Sequence, residues 1–162
     1  MTAEDQDKEL LVRFKEDHDN VEPAASSVAA LNLLRLAQFT DNPAYREKAA
    51  KTLQAFGSTL RDSPRAMPYM LCALDYAVTD PKQVVIAGQK NATDTKALLK
   101  VLHDSYIPVK IVVLAESGGQ GVLKPFQAMK PIGGKATAYL CEHYVCKKPT
   151  SDPKEFENLL TR

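Results

Sequence analysis

The sequence predicts a mixed α+β chain: α-helical hairpins of the kind found in hairpin arrays and α/α barrels, then a small α/β domain with a βαβ unit and a C-terminal helix. Three observations predict it. Residues 81–116 (PKQVVIAGQKNATDTKALLKVLHDSYIPVKIVVLAE) read as strand, helix, strand, with a turn signal at each junction. Residues 24–39 are helical in pattern but apolar nearly all round, which demands burial on most sides. At Thr79-Asp80-Pro81 the hydrophobic period switches from helical to strand-like, dividing a helical segment 1–80 from an α/β domain 81–162.

Taken in order, residues 1–8 are polar, and 10–14 (LLVRF) are a short apolar patch read as extended. Glu22-Pro23 opens the first helix, because proline presets φ for a first helical position. That helix carries Val28, Leu31, Leu33, Leu34, Leu36, Ala37 and Phe39, with Asn32, Arg35 and Gln38 on one narrow line. Asn42-Pro43 starts a second, whose stripe Tyr45, Ala49, Leu53, Phe56 and Leu60 opposes Arg46, Glu47, Lys48 and Lys51. After Asp62-Ser63-Pro64 a third places Met67, Met70, Leu71, Leu74 and Val78 on one side. An inner helix followed by an outer one is the order found in α-hairpin arrays and α/α barrels.

In the second half, Val84-Val85-Ile86-Ala87 and residues 110–115 are β-branched runs expected to be covered on both faces. Leu98, Val101, Leu102 and Ser105 keep helical spacing between them, with Thr93 or Asp94 as N-cap and Pro108 as the stop. Two parallel strands need such a crossover. Ser117-Gly118-Gly119-Gln120-Gly121 opens a loose segment running to Gly133-Gly134. Residues 136–141 then read as a strand, 142–145 as a turn and Cys146 as a short return. Asp152-Pro153-Lys154-Glu155 resembles a capping box for a last helix burying Phe156, Leu159 and Leu160.

Lys+Arg 21 against Asp+Glu 20 gives a net charge of +1, so no global field recruits nucleic acid or an anionic membrane. No apolar run reaches the ~18 residues of a spanning helix, and the start MTAEDQDKE is acidic where a targeting peptide is basic. The expectation is a soluble, by default cytoplasmic, chain. Three cysteines are too few for a disulfide scaffold.

Among candidate chemistries, Cys141 and Cys146 stand opposite one another if a four-residue turn joins two antiparallel strands. Opposed Cβ atoms lie at roughly 4.5–5.5 Å, against ~3.8 Å in a disulfide, so bridging needs local adjustment. Two apolar thiols packed under the last helix are the commoner outcome, a dithiol pair the alternative. His143 between them, with His18 and His103 elsewhere, does not complete a metal set. The glycines at 118–121, and Gly134-Lys135 followed by Ala136, match no phosphate-loop fingerprint, and no cofactor is expected. Asp19, Glu22 and Ser27 surround the start of the first helix, where an acid serves more often as a cap than in proton transfer.

Three segments, 10–40 (LLVRFKEDHDNVEPAASSVAALNLLRLAQFT), 82–115 and 135–160, carry a further signal. Together they resemble the C-terminal end of the thioredoxin-domain proteins related to spermatogenesis-associated protein 20. The resemblance implies a longer protein with an N-terminal thioredoxin-like domain, a six-hairpin α/α barrel similar to N-acylglucosamine epimerases and glycosidases, and a small α/β tail. In that family the barrel segment commonly reads Asp-Gly-Ala-Glu-Pro-Ser-x-Asn-Ser. Asp19, Glu22, Pro23 and Ser27 match it, while Asn20, Val21, Ala24 and Ser26 depart. Cys141 and Cys146 match the family's tail pattern of Cys, four residues, Cys. The implied role is structural, helix 24–39 being covered by the rest of such a chain or by another subunit. The alternative is a carbohydrate-binding, epimerase-like pocket with Glu22 and Asp19 as candidate catalytic residues and Ser27 as a substrate contact.

Overall fold

A computed structural model describes residues 18–116, 123–142 and 145–161. The patch at 10–14, the glycines at 118–121 and His143 lie outside them. The order is α1 (Ala25–Thr40), α2 (Pro43–Ala55), α3 (Gly57–Asp62), α4 (Pro68–Val78), β1 (Lys82–Ala87), α5 (Thr93–Asp104), β2 (Lys110–Ala115), β3 (Thr137–Glu142), β4 (Val145–Cys146) and α6 (Pro153–Leu160). The fold is mixed α+β. Two compact units form, one of Asp41–Thr79 with the described residues up to Ala37, the other of Asp80 onward with Gln38–Thr40.

In the first unit, α2 is capped by Asn42, whose Oδ1 accepts from the Ala44 N–H at 3.0 Å, and Pro43 takes the first turn. Its expected stripe is buried at Ala49 and Leu53 and continues to Leu60 in α3; Phe56, at φ −101°, separates the two helices. On α4 the packed face is rotated from expectation. Met70, Ala73 and Tyr76 are buried, while Val78, at the last helical position, is 72% exposed. The helix starts at Pro68, after the 3-10 turn Pro64–Ala66, and Met67 is buried just ahead of it.

The second unit is a four-stranded sheet in the order β2-β1-β3-β4. β1 pairs parallel with β2, Val84 opposite Val112 and Ile86 opposite Leu114, and antiparallel with β3, Val84 opposite Leu140. Val84, Val85, Ile86 and Ala87 are all wholly buried, so both faces of the central strand are covered. On one face Val84, Ile86, Ala138 and Leu140 form a core with Leu98 and Leu102 of α5 and Phe156 and Leu160 of α6. α5 ends as expected, the Ser105 hydroxyl donating to the Val101 carbonyl at 2.8 Å.

Two turns differ from the sequence reading. Gly133 and Gly134, at φ +60° and +72°, sit between Ile132 and Lys135, whose N–H donates to the Ile132 carbonyl at 3.1 Å. Consecutive positive φ values suit a two-residue hairpin turn, and glycine adopts them without steric cost. At α6, Asp152 Oδ1 accepts from Lys154 N–H (2.7 Å) and Glu155 N–H (3.1 Å) as a cap should. Glu155 does not close the box: its carboxylate takes the Thr150 hydroxyl, and Thr150 Oγ1 accepts the Asp152 N–H at 3.1 Å.

Gly88, directly after β1, is fixed by close approach. A Cβ there would lie 2.4 Å from Thr95 Oγ1 and 2.9 Å from the Ala136 Cβ, whereas one at Gly57 meets nothing within 4 Å. Gly88→Ala should therefore lower the unfolding free energy by about 1–3 kcal/mol through overpacking. Gly57→Ala should be neutral or stabilising by about 0.4–1 kcal/mol. Urea titrations followed by circular dichroism measure both, and equal effects would contradict the packing at Gly88.

Candidate functional site

The helical unit brings one carboxylate onto two helix starts. α1 begins two residues later than proline placement predicts: Ala24 is the N-cap and has no capping side chain of its own. Its role passes to Asp19, whose Oδ1 accepts the Ala24 N–H at 2.7 Å. Asp19 Oδ2 accepts from Tyr69 N–H (2.8 Å) and Met70 N–H (3.4 Å) in the first turn of α4, which also lacks a capping side chain. The Asp19 N–H donates to the Ala66 carbonyl at 2.7 Å, fixing the residue at both ends. Burial pushes the carboxyl pKa up, but hydrogen bonds from the main-chain N–H groups of Ala24, Tyr69 and Met70, with the Ser27 hydroxyl close by, outweigh it and hold the pKa below its ordinary value. Asp19 is an ionised clamp. The structure brings buried Ser27 to it, while Glu22 is exposed and its carbonyl accepts the Asn20 N–H at 3.0 Å.

In the α/β unit, Asp94 does similar work. Neither it nor Thr93 is the N-cap of α5, a position held by Ala92 without a capping side chain. Asp94 is the second residue of α5, where Oδ1 accepts from its neighbour Thr95 N–H at 2.8 Å and Oδ2 from Ala136 N–H at 2.7 Å. The Ala136 bond, then that of Thr95, lowers the Asp94 pKa. The carboxylate thus occupies the N–H groups at the carboxyl end of β1, where α/β folds commonly seat an anion.

Cys141 and Cys146 are joined by a disulfide with Cα atoms 3.9 Å apart. This corrects the expectation of two buried thiols: Cys141 is buried and Cys146 is exposed. The physical reason is register. β3 and β4 stay paired through Glu142 and Val145, so the link is two residues long and Cys141 faces Cys146 directly. Lys147 N–H donates to the Leu140 carbonyl at 2.8 Å, flanking the pair. That makes it a non-hydrogen-bonded pair, the kind with the closer Cα atoms. Closing so short a loop stabilises by about 2 kcal/mol in the chain-entropy model. Beside it, Glu142 bridges Lys147 at 3.0 Å and Lys82 at 3.3 Å, and Lys82 also donates to the Leu160 carbonyl at 3.0 Å. The Lys147 and then the Lys82 contacts lower the Glu142 pKa against the opposing effect of burial.

Among the described residues no helix is long and apolar enough to cross a membrane. Asp19→Ala should cost the helical unit about 2 kcal/mol, and Asp19→Asn less, since the amide keeps one acceptor oxygen. Because the folded pKa lies below the ordinary 3.8, the clamp contributes fully above that pH and is lost as pH falls through the folded value. Urea midpoints at pH 7 and pH 3 should show the wild-type advantage over Asp19→Asn shrinking in acid; an advantage that does not change between the two would count against the clamp.

No protein-family model matches the chain, and no solved structure matches it. Curated relatives do. The chain is 41% identical over 155 residues to spermatogenesis-associated protein 20 of Homo sapiens, covering 93% of this chain and 20% of that protein. The Mus musculus protein of the same name is 38% identical over 156 residues, covering 94% of this chain and 20% of its own length. An uncharacterised Caenorhabditis elegans protein is 30% identical over 171 residues, with 99% and 22% covered. The chain is thus a relative of spermatogenesis-associated protein 20 and spans about a fifth of the length of the relatives it matches.

Proposed function

We propose that the chain is a structural, non-catalytic part of a longer protein of this family's type, corresponding to its C-terminal end. In this reading α1 is an inner helix of a six-hairpin α/α barrel, seated against helices from the rest of such a protein or from another subunit. The observation that carries it is the unfilled apolar surface of α1. Leu36 is 42% exposed and Val28, Leu33 and Phe39 are only half-buried, although the helix has hardly any polar face to offer water. Burying such side chains fully is worth about 1.5–3 kcal/mol each, so further helices across them stabilise both partners.

The clamp at Asp19 supports the same reading over the carbohydrate-binding alternative. A general acid or base needs a carboxyl that exchanges protons near working pH. Both Asp19 oxygens instead accept backbone N–H groups, and these hold the carboxyl ionised.

By itself the 162-residue chain should bind a hydrophobic dye, self-associate in sedimentation velocity, and melt with little cooperativity. Leu36→Lys should reduce dye binding and association while preserving helicity. A monodisperse monomer with one sharp transition, unchanged by Leu36→Lys, would overturn the structural reading.

A further inference from the structure

The Cys141–Cys146 pair has an asymmetry that neither structural nor carbohydrate chemistry uses. Cys141 is 1% exposed and sits in the body of the sheet, paired across to Gln83 of β1. Cys146 is exposed, on a two-residue outermost strand. Only one sulfur of the bond is therefore open to a reagent in solution. Its surroundings are net cationic: Glu142, adjacent to Cys141, is shared by Lys82 and by Lys147, adjacent to Cys146. A thiolate, and above all one whose molecule carries further carboxylates, meets favourable charge there.

We infer that Cys146 is a thiol–disulfide exchange site for a small anionic thiol of the glutathione class, and that exchange there releases β4 from β3. The thiolate attacks Cys146 Sγ, the Cys141–Cys146 bond breaks, and the electron pair leaves on Cys141 Sγ, which takes a proton from water. A mixed disulfide of the small thiol with Cys146 results. A second thiolate attacks the small thiol's sulfur in that bond, releasing Cys146 as a thiolate and the small thiol as its own disulfide. Two small thiols are oxidised and one protein disulfide is reduced.

The return strand has few other ties. Beyond the disulfide, its described hold on β3 is the ladder pair of Val145 with Glu142, the Lys147 N–H to Leu140 carbonyl bond at 2.8 Å, the Lys147–Glu142 ion pair, and the reciprocal bonds between Ala138 and Thr150 at 2.8 and 3.1 Å. The last two lie toward α6. Exchange at Cys146 therefore unpins 145–147 and bares the outer edge of β3 at Cys141 and Glu142, while Thr150 stays bound.

The test uses the full chain carrying Cys72→Ser, which removes the exposed free thiol. It is treated with substoichiometric reduced glutathione, quenched in acid, and the peptide 136–147 is sequenced by mass spectrometry. The expected result is glutathione on Cys146 at least tenfold over Cys141. In a second arm, Cys141→Ser and Cys146→Ser variants are compared for reaction with oxidised glutathione, the first reacting at least tenfold faster. Should either variant not fold, amide exchange on the reduced wild type takes the place of this arm, with protection lost at 145–147 and kept at Thr150. Glutathione on Cys141, equal labelling of the two, a bond left intact by millimolar glutathione, or unchanged protection after reduction would each overturn the inference.

Discussion

A strand buried on both faces leaves its backbone no water to bond, so every N–H and C=O must find a partner in a neighbouring strand. β1 is that strand, and the α/β unit follows from satisfying it. One edge takes β2 in parallel, which obliges the chain to cross over through α5. The other takes β3 antiparallel, bringing the segment after 123 back along β1 and carrying β4 and α6 with it. The core on one face is the set of residues that this pairing forces together: Val84 and Ile86 from the strand, Leu98 and Leu102 from the crossover, Phe156 and Leu160 from the last helix.

The helical unit solves the same problem at helix ends. The first turns of α1 and α4 each present free N–H groups and bring no capping side chain. A single acceptor with two oxygens meets both, at a cost in desolvation that the ionised form recovers through three backbone N–H bonds. A hydroxyl or amide at position 19 has one side-chain acceptor oxygen, and a longer carboxylate changes the reach. The position is specified by geometry, which is why it reads as a functional carboxylate in the sequence.

How much was legible follows from how local each cause is. β1, α5 and β2 were readable because their punctuation lies within a few residues: Gly88 at one strand end, Pro108 before the other, a helical stripe between them. The stripe of α2 and α3 and the Asp152 cap were local too. The clamp was half visible. Asp19 precedes a helix, but Tyr69 and Met70 are 50 and 51 residues away and offer only main-chain N–H groups, which leave no residue-type signal. The α4 face is not legible in the same way: the small residue Ala73 and the amphipathic Tyr76 are buried on it, while Val78 falls at the last helical position and is exposed. The disulfide is not legible because the sequence does not say whether the facing cysteines form a hydrogen-bonded pair or the closer non-hydrogen-bonded one, which the Lys147 N–H to Leu140 carbonyl bond decides.

Five of the described carboxylates share one pattern: each is engaged in contacts that tie segments of the chain together. Asp19, Asp94 and Asp152 each give an oxygen or two to main-chain N–H groups at the start of a helix, and Asp94 reaches a second segment at Ala136. Glu142 is neutralised between two lysines from different strands or their extensions. Glu155 is taken by a threonine hydroxyl. A catalytic carboxyl must keep a lone pair or a proton available to substrate, in a cleft where its pKa is moved toward working pH. The pKa values of Asp19, Asp94 and Glu142 are moved the other way, by the contacts that join elements. These five carboxylates join helix starts and strand ends, and the sulfur bond joins β4 to β3.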